Sequence, residues 1–313
     1  MRVATDVWDL TEMPDLSGRR MVVTGVTPGG IGWFTALELA RAGASVVLAG
    51  RSASKVDDAE SAIRAEVPQA DLAPLSVDLA DLGSVRLAAA RAASYGPVDV
   101  LVNNAGVMAP PYARTVDGFE LQMATNHFGP FALTGLLLPQ LVASDDGRVV
   151  TVSSPMHRVA RRAPLGDPRQ PGSGHYSRWQ TYAQTKLANL LFTFELDRRC
   201  RQAALPVRAL AAHPGFAATH LAANGRYGRA KGGRATILDA TIRAVAQPAA
   251  DGALPTLMAG VADLPGSTYC GPSGFRESRG LPVAVGCTSL ATDEVAQRAL
   301  WELSEQATGI AYP

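Results

Sequence analysis

The chain has 313 residues, 47% hydrophobic and 18% charged, which is enough apolar material for a large core and speaks against wholesale disorder. A net charge of +1 gives no reason to expect nucleic acid or an anionic membrane as the main partner. Three cysteines, Cys200, Cys270 and Cys287, odd in number and without C-x-x-C spacing, argue against a disulfide framework or zinc site and predict a reducing, cytoplasmic setting.

Residues 1–17 carry Asp6, Asp9, Glu12 and Asp15 and no apolar h-region, so they read as a short extension without a signal peptide. Arg19 to Gly25 is an apolar run closed by glycine, as expected of a buried parallel strand. Val26 to Gly32 is a glycine-rich turn, and residues 33–43 are apolar except for Thr35, Glu38 and Arg41, a helix with one narrow polar stripe. Strand, glycine turn and helix together predict a dinucleotide site. Gly25, Gly30, Ile31 and Gly32 bring backbone and a helix N-terminus to the pyrophosphate.

Ser45 to Gly50 is a second buried strand, followed by Arg51-Ser52. An acid here would grip a ribose hydroxyl, whereas an arginine suits a 2′-phosphate, so NADP is expected over NAD. Helices at 54–67 and 82–94 and strands at 72–78 and 98–102 continue the alternation. Asp78-Leu79 and Asn103-Asn104-Ala105-Gly106 then lie at C-terminal strand ends, where ligands bind. Residues 116–143 read as helical with a break at Pro130, just after Asn126. The stretch Phe131–Val142 is short for a membrane span and is interrupted by Pro139.

A fifth strand, 148–152, closes on Ser153-Ser154. Residues 155–178 are a long Pro-, Gly- and Arg-rich loop, a length that is usually functional or mobile. Tyr182 and Lys186 follow at helical spacing, with Leu187, Leu190, Leu191 and Phe194 marking the apolar face. An ammonium beside a phenol is expected to lower the tyrosine pKa from about 10 and fit it for acid–base work. A sixth strand, 206–212, ends in His213-Pro214-Gly215, and 216–235 is a second cationic loop. Helices near 236–247, 249–262 and 292–306 and a strand near 267–270 complete the chain. The five histidines form no helical H-x-x-x-H pair, so no metal is expected.

The pattern predicts an α/β fold: a single Rossmann-type, doubly wound parallel sheet with helices on both faces, in one domain spanning 18–313. Seven motifs in register, Thr24-Gly25…Gly30-Ile31-Gly32, Asp78-Leu79, Asn103-Asn104-Ala105-Gly106, Asn126, Ser154, Tyr182-x-x-x-Lys186 and Pro214-Gly215, resemble the short-chain dehydrogenase/reductase family over residues 17–308. Tyr269-Cys270-Gly271-Pro272 and Leu300 to Ser304 look like its retinol dehydrogenase and protochlorophyllide reductase branch.

The resemblance implies a proton donor or acceptor in Tyr182. It implies that Lys186 tunes that phenol and holds the nicotinamide ribose, and that Ser154 binds the carbonyl. It further implies that Asn126 holds a relay water, Asp78 contacts adenine, Asn103–Gly106 wall the cofactor site and Thr219 reaches the carboxamide. The phosphate turn departs from the family by one extra residue and by Pro28, which has no N–H, so the turn must bulge or shift.

The expected function is NADP(H)-dependent interconversion of an alcohol and a ketone or aldehyde. Reduction of a conjugated C=C bond is an alternative, and a non-catalytic NADP sensor on the same scaffold is another. Trp179, Phe216 and Leu221 suggest a bulky, partly hydrophobic substrate. The arginines of the two loops are either a solvated surface or a lid for an anionic substrate group. A homo-oligomer is compatible with the sequence.

Overall fold

The computed structural model describes residues 7–169, 176–216 and 247–313. Their core is one eight-stranded sheet in the order β3-β2-β1-β4-β5-β6-β7-β8. The strands are β1 (Arg20–Thr24), β2 (Ser45–Gly50), β3 (Leu72–Ser76), β4 (Val100–Asn103), β5 (Gly147–Val152), β6 (Val207–Ala212), β7 (Tyr269–Pro272) and β8 (Pro282–Ala284). Strands β1 to β7 pair in parallel, and β8 closes the edge antiparallel to β7 with Cys270 opposite Ala284. Chain order reverses between β1 and β4, the place where a doubly wound sheet opens a crevice at its carboxyl edge.

Helices α1 (Ile31–Arg41) and α2 (Ala53–Glu66) cover one face together with α7 (Ala249–Val261). The other face carries α3 (Leu82–Ala93), α5 (Gly129–Val142) and α6 (Arg178–Gln202), with α8 (Glu294–Thr308) packed outside α6. Period-two alternation makes this possible. Met21 and Val23 of β1 face the first layer, and Val22 between them faces the second. Leu187, Leu190 and Leu191 of α6 are fully buried, as their spacing requires.

Several local expectations change. The break expected at Pro130 falls earlier: a short turn, α4 (Leu121–Met123), passes into a π-helical turn, Ala124–Phe128, and Pro130 is accommodated in the first turn of α5. Gly129 follows because the backbone there presses on Leu79, whose carbonyl oxygen would lie 2.2 Å from any Cβ. The strand near 267–270 is shifted to Tyr269–Pro272, and β8, three residues long and begun by proline, carries no periodic signal. The long loop opens with a 3₁₀ turn, Pro155–Val159. The helix expected near 236–247 lies almost wholly outside the described residues.

Candidate active site

The extra residue of the glycine turn forms a reverse turn of its own. Gly30 N–H donates to Thr27 O at 2.9 Å, with Pro28 and Gly29 between them and Gly29 at φ +73°. Proline followed by a positive-φ glycine is the type II pattern, so the insertion is absorbed before α1 begins at Ile31. Gly30 sits at the helix start without a side-chain cap, leaving the N–H groups of Ile31, Gly32 and Trp33 without intrahelical partners. Gly25 is required twice over: its φ is +79°, and a Cβ would lie 2.8 Å from Ala105 Cα. A helix end with free donors and no side chain in the way fits a pyrophosphate.

At the β2 end, Arg51 is exposed and makes no ion pair among the described residues. The Ser52 hydroxyl lies 3.0 Å from that of Ser54 at the start of α2. Asp78 Oδ1 accepts from Ala80 N at 2.9 Å, and among the described residues its second oxygen has no partner. Leu79 is buried and packs inward.

The segment after β4 is stitched to the glycine turn. Asn104 Nδ2 donates to Thr24 O at 2.7 Å, and the Thr24 hydroxyl accepts from Asn104 N and Ala105 N, both at 3.0 Å. Asn103 turns the other way, into the core, where Nδ2 donates to Thr134 Oγ1 at 3.0 Å. Its side chain therefore does not line the cofactor wall expected of it. Gly106 lies between Asn126 Oδ1 and Lys186 Nζ, 3.1 and 3.8 Å from the position of a Cβ.

The π turn aims Asn126 at this loop. Its Oδ1 accepts from Val107 N at 2.7 Å, and its Nδ2 donates to Val107 O at 2.9 Å and to Thr185 Oγ1 at 3.0 Å. Both amide protons are thus committed to protein, and the side chain joins the β4 loop to α6. The Thr185 hydroxyl in turn donates to Tyr182 O at 2.8 Å.

Ser154, Tyr182 and Lys186 come together at the carboxyl edge of β5. The Ser154 hydroxyl lies beside the Tyr182 hydroxyl and also accepts from Met156 N at 3.2 Å. Ser153 is turned inward, donating to Lys186 O at 2.7 Å. Lys186 Nζ donates to Val152 O at 2.9 Å and lies 5.7 Å from the centroid of the Tyr182 ring. The expected acidification of the phenol is not found. Burial pushes Tyr182 up to about 12, against a smaller pull from Ser154, and burial takes Lys186 down to about 8. Both charged forms are penalised once water is excluded, and the lysine sits over the ring rather than on the hydroxyl.

At the end of β6, Gly215 has φ +63°, and Pro214 O accepts from Gln247 Nε2 at 2.7 Å. Thr219 and Leu221 lie outside the described residues. Trp179 is 40% exposed, edge-on to Tyr182 with centroids 6.3 Å apart, and Phe216 is 48% exposed, so two of the three residues that suggest a hydrophobic substrate are partly open to solvent. Arg158 is engaged by Glu277 and is not free for a substrate, while Arg161 and Arg162 are exposed.

Sequence reasoning missed Gln122 and Tyr176. Gln122 is fully buried. It accepts from Ala109 N at 2.9 Å and donates to Tyr176 Oη at 2.7 Å and Arg178 O at 3.0 Å, tying the β4 loop to the start of α6. Neither residue sits in a periodic or motif position that would have marked it. Among the described residues no helix is long and apolar enough to cross a membrane, and no cluster of three or more His, Cys, Asp or Glu could hold a metal ion.

Comparison with known proteins agrees with this architecture. The family model described as short chain dehydrogenase matches residues 19–163. Retinol dehydrogenase 13 of Homo sapiens is 42% identical over 207 residues, 66% of this chain and 61% of that protein. Polyprenol dehydrogenase of Mus musculus is 43% identical over 214 residues, 67% of this chain and 63% of that protein. The chain thus spans less than two thirds of the length of these two curated relatives. The crystal structure of an uncharacterized protein from Mycobacterium paratuberculosis superposes with a TM-score of 0.80 at 42% identity, covering 98% of this chain and 100% of that one. With the doubly wound sheet, the glycine turn and the clustered Ser154, Tyr182 and Lys186, these matches lead to one conclusion: the chain belongs to the short-chain dehydrogenase family.

Proposed function

We propose that this protein is an NADP(H)-dependent oxidoreductase that interconverts an apolar alcohol with its ketone or aldehyde. The observation that carries the reading is the meeting of the Ser154 and Tyr182 hydroxyls, with Lys186 one turn away, at the carboxyl edge of the sheet. Two hydroxyls side by side can both donate to one carbonyl oxygen and stabilise the alkoxide that develops there. The nicotinamide nucleotide, when bound, supplies or takes the hydride. The protein's share is to hold the carbonyl and to move one proton. A phenol raised to about 12 is protonated at physiological pH, so Tyr182 enters reduction carrying the proton, and the negative charge developing on the carbonyl oxygen beside it is what draws that proton across. Asn126 and Thr185 fix the backbone of α6 from which Tyr182 projects.

Support for the nucleotide comes from the N–H groups at the start of α1 that have no intrahelical partner and, among the described residues, from an Asp78 oxygen without a partner and from Arg51, which makes no ion pair there and suits a 2′-phosphate. Support for an apolar substrate comes from Trp179 beside Tyr182 and from the retinol and polyprenol named for the relatives. The test is a screen of apolar alcohols, aldehydes and ketones followed by NADPH absorbance. Tyr182→Phe should lower turnover by about 10²–10⁴-fold while NADPH still binds. Undiminished turnover in that variant would refute the mechanism.

A further inference from the structure

The loop from β7 to β8 folds back on the exit of β6. Ser273 N donates to Leu281 O at 2.9 Å and Gly274 N to Arg279 O at 2.8 Å, which closes the loop on itself. Its carbonyls then press on Gly215: a Cβ there would lie 2.5 Å from Ser278 O and 3.0 Å from Glu277 O. Phe216 N donates to Ser278 O at 2.8 Å. Gln247 completes the clasp, donating to Pro214 O and accepting from Gly280 N at 3.3 Å.

This loop holds a conformation that its residues disfavour. Arg276 and Glu277, adjacent and neither of them glycine, have φ of 52° and 55°. The compensation is on the Glu277 side chain. Arg158 grips it with two bonds, Nη1 to Oε2 at 2.8 Å and Nη2 to Oε1 at 2.9 Å, and Arg158 Nη2 also reaches Gly286 O at 2.7 Å. The buried His213 places Nε2 3.1 Å from Glu277 Oε2. Burial pushes the Glu277 carboxyl up, but His213 and Arg158 outweigh it and hold it at about 2. One carboxylate therefore joins the turn after β5, the exit of β6 and the loop after β7.

In a doubly wound sheet each half takes one mononucleotide on its side of the switch point. The glycine turn and Arg51 belong to the β1–β2 side; Ser154, Tyr182 and Gly215 belong to the β5–β6 side. We propose that Glu277 is a positioning residue for the nicotinamide half of the cofactor, latching the β7–β8 loop so that Pro214–Phe216 form a fixed wall of that half-site. The proposal rests on the dinucleotide reading given above.

The test compares two ligands on the full chain: NADPH, followed by its fluorescence, and 2′-phospho-ADP-ribose, which lacks only the nicotinamide, followed by calorimetry. In Glu277→Gln the NADPH Kd should rise about tenfold, the scale of one lost charge-assisted contact. The fragment Kd should stay within about twofold, inside the range of effects that leave a site intact. Unchanged NADPH affinity overturns the latch, and so does an equal loss for both ligands, which would mark a merely structural role. Should Glu277→Gln fold poorly, Arg158→Lys removes the fork while keeping the charge, and the same split is expected. Wild-type protein that binds neither ligand overturns the dinucleotide reading and the latch with it.

Discussion

Replacing Gly32 by alanine sets two forces against each other. By helix propensity alone, alanine in the first turn of α1 should stabilise by up to about 1 kcal/mol. The tertiary contacts oppose it. A Cβ at Gly32 would lie 2.4 Å from Asn104 Nδ2 and 2.6 Å from Gly25 O. Asn104 can yield only by loosening its bonds to Thr24 O and Gly25 O, 2.7 and 3.3 Å long. Each such bond contributes about 0.5–1.5 kcal/mol. Gly25 O is backbone and cannot rotate away, and overpacking of this kind costs about 1–3 kcal/mol. The net expectation for Gly32→Ala is a loss of about 1–4 kcal/mol, set by these opposing terms. Asn104→Ala removes the side-chain part of the clash. The double variant should therefore be more stable than the sum of the singles by about 1–2 kcal/mol. Urea unfolding followed by tryptophan fluorescence, with Trp33 in the same turn, reads all four proteins. Stabilisation by Gly32→Ala, or additivity within about 0.5 kcal/mol, would show the reasoning to be wrong.

Two further outcomes are expected. Arg51→Ala should weaken NADPH binding while leaving NADH binding nearly unchanged, shifting their ratio about tenfold; a parallel change in both would remove Arg51 from the 2′-phosphate site. Stability should also fall on mild acidification. Burial lowers His127 to about 3 and His157 to about 4, so between pH 6.5 and 4 the unfolded chain binds protons that the folded chain refuses. Each histidine then removes up to about 1.4 kcal/mol per pH unit. Glu277, at about 2 when folded and 4.5 as a free group, adds a loss below 4.5. Glu120, raised by burial, works in the opposite direction. A urea midpoint that stays level or rises from pH 6.5 to 5 would contradict this assignment.

Much of the architecture is legible because it is local. Buried parallel strands write continuous apolar runs, helices write a 3.6-residue period, and Tyr182 and Lys186 share a face whatever else the chain does. The misses share a cause as well. The π turn that aims Asn126 depends on what it must meet, Val107 and Thr185, residues far away in the chain. Strand β8 exists because β7 offers it an edge. The direction of the Tyr182 shift depends on burial, which a pair of residues four apart does not encode.

By itself, then, the sequence determined the alternation of strands and helices, the glycine-rich helix start and the residue types offered to the cleft. The tertiary structure alone decided that the Thr27–Gly30 turn would absorb an extra residue, that Asn103 would face the core and Asn104 the glycine turn, and that Glu277 would bind three strand ends together. Periodicity follows from bonds between near neighbours along the chain. Desolvation and side-chain pairing follow from which distant segments are forced together, and only the folded chain settles that.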